Sequence, residues 1–146
     1  MSVFRYRLQP ILNIKERMEE YEKNKLGQEM RKLDQEEKRL NAIHEKQHHC
    51  FNSIVAESSE GVQAHKLQQY QHYLASINHQ LGCQIKSVQK ASQDVETQRK
   101  QLIEAAKEKK MLEILKQKKK DTFIYEQNKQ EEKRVDELVS YKYTNK

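Results

Sequence analysis

A chain of 146 residues is long enough for one compact domain. With 35% hydrophobic and 34% charged residues, no tryptophan, one proline and three glycines, it has too little apolar material for a globular core. The scarcity of turn residues excludes a sheet built from hairpins and a many-helix bundle, which leaves two helices and one reversal.

Residues before Gln9 read as an extended start. Pro10 then sits where a first helical turn tolerates it, because its missing N–H would have had no intrahelical partner. Helix one is predicted over about residues 9–56. Its early apolar residues Leu8, Ile11, Leu12, Ile14, Met18 and Tyr21 form a broad stripe. After a phase slip beside Gly27, the steps Leu26, Met30, Leu33, Glu37, Leu40, His44, Gln47, Phe51 and Ile54 follow heptad spacing.

Between Ala56 and Val62, Glu57-Ser58-Ser59-Glu60-Gly61 interrupts both stripes and gathers turn formers. The reversal is expected at 57–60, with Ser58 or Ser59 accepting a hydrogen bond from the first amides of the next helix. Helix two is predicted over about residues 61–141. Its seam, from Leu67 to Leu112, runs through Tyr70, Leu74, Ile77, Leu81, Gln84, Val88, Ala91, Val95, Gln98, Leu102, Ala105 and Lys109. That is a seven-residue repeat, and so thin a stripe needs another helix to cover it. A phase change is expected near Lys116, before Ile124, Val135 and Leu138 continue more weakly.

These elements define an all-α fold: an antiparallel two-helix coiled-coil hairpin with a longer C-terminal helix, forming one unit over 1–146. At about 1.5 Å per residue the arms are roughly 70 and 120 Å long, so about thirty residues of helix two are expected to overhang and fray.

The net charge is +6, and from Lys107 to Lys120 seven lysines face only Glu108 and Glu113. Such a patch favours an acidic protein surface, an anionic membrane or nucleic acid; the competing reading is a solvated helix face. Cys50 and Cys83 stand outside any CxxC pattern and are expected to be reduced. The opening residues do not form a signal peptide, and no run of about eighteen apolar residues occurs. The chain is therefore expected in the cytosol, reaching a membrane only through a partner.

His44-Glu45-Lys46-Gln47-His48 matches HExxH, in which two histidines one turn apart hold zinc. A hydrolytic zinc also needs a walled pocket and a third ligand, which an exposed helix does not provide. The sequence contains no phosphate loop and no nucleophile elbow, and the expectation is a non-enzyme without cofactor or metal. Arg39, Ile43, Lys46 and Cys50 form a second stripe off the predicted seam. Together with Tyr73 they suggest a docking surface near the hairpin tip; a seam merely widened at Ile43 and Tyr73 is the alternative.

Three segments carry a family resemblance along nearly the full chain. Phe4-Arg5-Tyr6-Arg7-Leu8-Gln9-Pro10-Ile11-Leu12 resembles the opening of the flagellar FliJ family. Tyr70-Gln71-His72-Tyr73-Leu74 is similar to its Tyr-x-x-aromatic-aliphatic segment, and Lys133-Arg134-Val135-Asp136-Glu137 to its C-terminal basic-x-x-Asp-Glu motif.

The resemblance implies a soluble component of the flagellar type III export apparatus, a stalk like the central subunit of rotary ATPases. Its paired ends would enter the flagellar export ATPase hexamer and promote ring assembly, and the chain would also engage the membrane export gate protein and flagellar substrate chaperones. By position, gate binding would use Arg39, Ile43, Lys46, Cys50, Tyr73, Ile77, Gln80 and Gln84. Lys46 and Cys50 stand where aromatic residues are expected in some relatives, and Ile77 and Gln84 also lie on the seam. Ring binding would use Phe4, Leu8, Lys118, Lys119, Lys120, Lys133, Asp136 and Glu137. The implied location is cytoplasmic, peripheral to the inner face of the cell membrane at the flagellar base. Two other readings stay open: a parallel coiled-coil scaffold dimer, and a basic helix binding nucleic acid, the latter weakened by the lack of base-reading or stacking residues among the lysines.

Overall fold

The computed structural model describes residues 2–145. It contains two helices, α1 (Gln9–Glu60) and α2 (Ala64–Thr144), packed against each other as an all-α hairpin with the longer helix C-terminal. By its contacts the chain divides into two units. One holds Glu22–Leu102, and the other joins residues up to Tyr21 with those from Ile103 onward.

In the Glu22–Leu102 unit the pairing is antiparallel. Glu22 meets Gln98, Glu36 meets Gln84, Gln47 meets Asn78 and Glu57 meets Lys66, so partner numbers fall as α1 advances. The seam of α2 follows the predicted heptads. From Tyr70 through Leu112 every predicted seam position is buried or half-buried, with Ile77 only 2% exposed; Leu67 alone opens to solvent.

The α1 seam differs from the expected one. Its covered positions are Leu8, Leu12, Lys15, Glu19, Glu22, Leu26, Glu29, Leu33, Glu36, Leu40, Ile43, Gln47, Cys50, Ile54 and Glu57. These step by four and three without interruption, so there is no phase slip at Gly27. Met30, Glu37, His44 and Phe51, expected on the seam, are exposed. The seam tolerates glutamates because each has a donor or a cation beside it. Gln84 Nε2 donates to the Glu36 carbonyl at 2.9 Å and to its carboxylate, and Gln98 Nε2 does the same for Glu22. A carboxylate on a half-buried seam is tolerable only when hydrogen-bonded in this way.

The reversal lies at 61–63 rather than 57–60, because α1 continues to Glu60. Gly61 adopts φ +85°, the left-handed conformation that terminates helices with little steric cost in glycine. Ser59 does not cap α2; its Oγ donates to the Ala56 carbonyl inside α1 at 2.7 Å. The Gln63 carbonyl instead accepts from Lys66 N and Leu67 N. Across the turn, Lys66 Nζ lies 3.1 Å from the Glu57 carboxylate.

In the other unit, residues 2–6 have no regular secondary structure, residues 7–8 form a turn, and exposure alternates along them. Phe4, Tyr6 and Leu8 are half-buried while Arg5 and Arg7 are exposed, the period-two pattern of a strand lying on a surface. Phe4 packs on Phe123 with ring centroids 5.6 Å apart, the Tyr6 hydroxyl donates to the Leu112 carbonyl at 3.2 Å, and Gln127 hydrogen-bonds Ser2. This segment shortens the overhang. The contacts of Phe4 with Phe123 and of Ser2 with Gln127 carry this cover along α2 as far as Gln127. Residues 128–145 are the exposed remainder, instead of about thirty. Beyond Leu112 the half-buried positions are Lys116, Phe123 and Gln127, one residue more than two heptads allow, so the phase does shift after Lys116, but Ile124, Val135 and Leu138 are exposed and carry no covered stripe. The C-terminal stretch is helical to Thr144, and Thr144 Oγ1 donates to the Ser140 carbonyl at 2.8 Å.

Candidate interaction surfaces

The corrected seam re-sorts the residues expected near the tip. Cys50 is 3% exposed, Ile77 2%, and Ile43 is half-buried, so these three belong to the packing between helices. Gln84 is half-buried and committed to Glu36. The supposed second stripe through Ile43 and Cys50 is therefore the seam itself. The sequence pattern hid this because His44 and Phe51 offered an equally regular step.

Arg39, Lys46, Tyr73 and Gln80 remain exposed. On both helices they directly precede seam residues: Leu40, Gln47, Leu74 and Leu81. Antiparallel pairing aligns that flank along a common edge. Two cations from α1 therefore share an edge with a phenol and an amide from α2. Arg39 also contacts Glu36 at 3.0 Å, which steadies its guanidinium, and Tyr73, 49% exposed, offers a rigid ring with a polar tip. Such an edge suits a partner with carboxylates beside an apolar pocket. Closer to the turn, the Tyr70 hydroxyl and then Lys66 hold the Glu57 carboxyl below its ordinary range, while Glu57 holds the Tyr70 phenol above its own. Sequence reasoning missed this lock, although a glutamate, a lysine and a tyrosine flanking the only turn were its visible signal.

The other unit offers a different surface. Val3 to Leu8 together with Leu115, Lys119, Thr122, Phe123 and Glu126 line an open groove. Phe4 and Leu8 are half-buried against α2, and Lys118, Lys119 and Lys120 are exposed. Within the lysine run, Lys109 and Lys116 are half-buried; Lys109 bonds Glu19 at 2.8 Å, and that carboxylate holds its ammonium above the ordinary lysine range. Lys15 pairs with Glu108 at 2.7 Å. Lys133, Asp136 and Glu137 lie on exposed α2 beyond Gln127. Phe123 and Tyr6 anchor this end; sequence reasoning gave neither a packing role, and the alternation from Phe4 to Leu8 was the available clue.

Among the described residues no three metal-ligating side chains converge, and no helix is long and apolar enough to cross a membrane. His44, Glu45 and His48 line only a shallow outer groove of α1.

A protein-family model described as flagellar FliJ protein matches residues 4–146. No match is found among curated proteins. The solved structure of a protein described as a YscO homolog, from Chlamydia trachomatis, is similar with a TM-score of 0.66 at 20% identity, covering 97% of this chain and 96% of that one. That likeness is one of fold: two long paired helices. With a family match spanning all but the first three residues, the chain belongs to the flagellar FliJ protein family and is associated with type III export.

Proposed function

We propose that this chain is a non-enzymatic stalk and escort of flagellar protein export, a cytoplasmic component held peripherally at the inner face of the cell membrane. The exposed Lys118, Lys119 and Lys120 beside the Phe4 and Leu8 groove, with the uncovered helix carrying Lys133, Asp136 and Glu137, make the end that enters the export ATPase hexamer. The observation carrying this reading is the exposure of residues 128–145, which keep heptad-spaced apolar groups such as Val135, Leu138 and Val139 with no covering helix. Apolar positions on a helix this exposed are expected to be covered by a partner.

One rod in a ring of like subunits contacts only some of them at once, so it biases their nucleotide states and promotes ring assembly. The edge of Arg39, Lys46, Tyr73 and Gln80 faces the membrane export gate, and substrate chaperones are handed on along the same chain. By this route the protein serves flagellar assembly, and through it motility and chemotaxis. ATP hydrolysis by the export ATPase, measured with and without stoichiometric chain, tests the reading. Stimulation is expected; unchanged turnover and unchanged ring assembly would refute it.

A further inference from the structure

All six histidines and both cysteines of this chain lie between His44 and Cys83. Every side chain of the kind that zinc-like metals prefer is thus confined to the half of the hairpin near the turn. Among them, His79 and Cys83 are one helical turn apart on the outer face of α2, both exposed, with Cys83 Sγ 3.8 Å from His79 Nε2. Zinc bonds of about 2.3 Å to sulfur and 2.0 Å to nitrogen at tetrahedral angles put two such donors about 3.6 Å apart. The pair already stands near the bite that the metal requires, on a rigid helix, so binding costs little reorganisation.

We propose that His79 and Cys83 form a bidentate site for a borderline-soft divalent cation of the zinc type, one per chain. Cys83 binds as the thiolate and gives its proton to solvent, His79 binds through neutral Nε2, and water fills the two open positions. Two protein donors make an exchangeable site, neither a closed structural one nor a catalytic one. Lower pH weakens it, because protons compete for both donors. Cys50 cannot substitute, since it is buried in the seam. His44 and His48 supply only nitrogen at their spacing, so a sulfur-specific signal isolates the proposed pair.

The full-length chain, kept reduced, is titrated with cobalt(II) as the probe, and zinc is then added in competition. The expected result is a thiolate-to-cobalt charge-transfer band that saturates at one metal per chain and is displaced by zinc. Cys83→Ser abolishes the band, His79→Ala moves the titration midpoint by at least about tenfold, and Cys50→Ser leaves it in place. Circular dichroism confirms unchanged helicity in the first two variants, which alter exposed positions. A wild-type chain without the band, a band that survives Cys83→Ser, or a His79→Ala midpoint equal to wild type overturns the assignment.

Discussion

Gln84 and Glu36 hold each other across the seam twice over: the Gln84 amide donates to the Glu36 main-chain carbonyl at 2.9 Å and to its carboxylate. Gln98 and Glu22 repeat the arrangement two heptads away. Shifting the register by one heptad would strand both glutamates among apolar residues, so these pairs fix the alignment of α1 on α2 at some cost in raw stability. Replacing Gln84 by Ala is expected to destabilise the hairpin by about 1–2 kcal/mol, the cost of leaving a part-buried acceptor unpaired. Urea unfolding followed by circular dichroism reads this directly. Gln84→Glu is worse, because it opposes two carboxylates.

Gly61 carries the only left-handed backbone among the described residues, and a Cβ built there meets nothing within 4 Å. The cost of Gly61→Ala is therefore purely conformational, about 1–2 kcal/mol. Gly61→Asn is expected to cost less, since asparagine tolerates this region better. Equal stability of wild type and Gly61→Ala in urea would show that the turn re-forms without the left-handed residue.

The lock across the turn gives a pH dependence of known sign. Glu57 has a lowered pKa in the fold, first because of the Tyr70 hydroxyl and then because of Lys66. Its contribution is present above the carboxylate's unfolded value and is lost as pH falls through the folded one. Tyr70 runs the other way: its raised pKa makes its contribution present below the unfolded phenol value and lost as pH rises through the folded one. Amide exchange of residues 57–70 should accelerate at both extremes. Glu57→Gln should flatten the acid limb, and Tyr70→Phe should remove the alkaline one.

The packing of Phe4 on Phe123 holds the N-terminal segment against α2. Phe123→Ala should release residues 2–8 and quicken tryptic cleavage after Arg5 and Arg7, while far-ultraviolet ellipticity barely changes. Cleavage at the wild-type rate would mean that the Tyr6 and Ser2 hydrogen bonds suffice.

The α2 seam was readable in the sequence because its residues are apolar at nearly every heptad step. The α1 seam was readable only at Leu8, Leu12, Leu26, Leu33, Leu40, Gln47 and Ile54. Five other members, Lys15, Glu19, Glu22, Glu29 and Glu36, are charged, and a search for apolar stepping passes over them in favour of neighbours such as Met18 and Met30. The fitness of two of them for the seam depends on donors more than sixty residues away, Gln98 for Glu22 and Lys109 for Glu19. The same error moved Ile43 and Cys50 off the seam and into the expected docking surface. The edge formed by Arg39, Lys46, Tyr73 and Gln80 became visible only once the phase of both helices was known.

The account rests on one chain doubling back so that α1 pairs with its own α2, and Gln47 and Asn78, hydrogen-bonded at 3.0 Å, mark that pairing. Gln47→Cys and Asn78→Cys, combined in a Cys83→Ser background and treated with a short bismaleimide, should give a cross-linked peptide within a monomer at every protein concentration. Cross-links that join two chains and increase with concentration would contradict the hairpin and the stalk built on it.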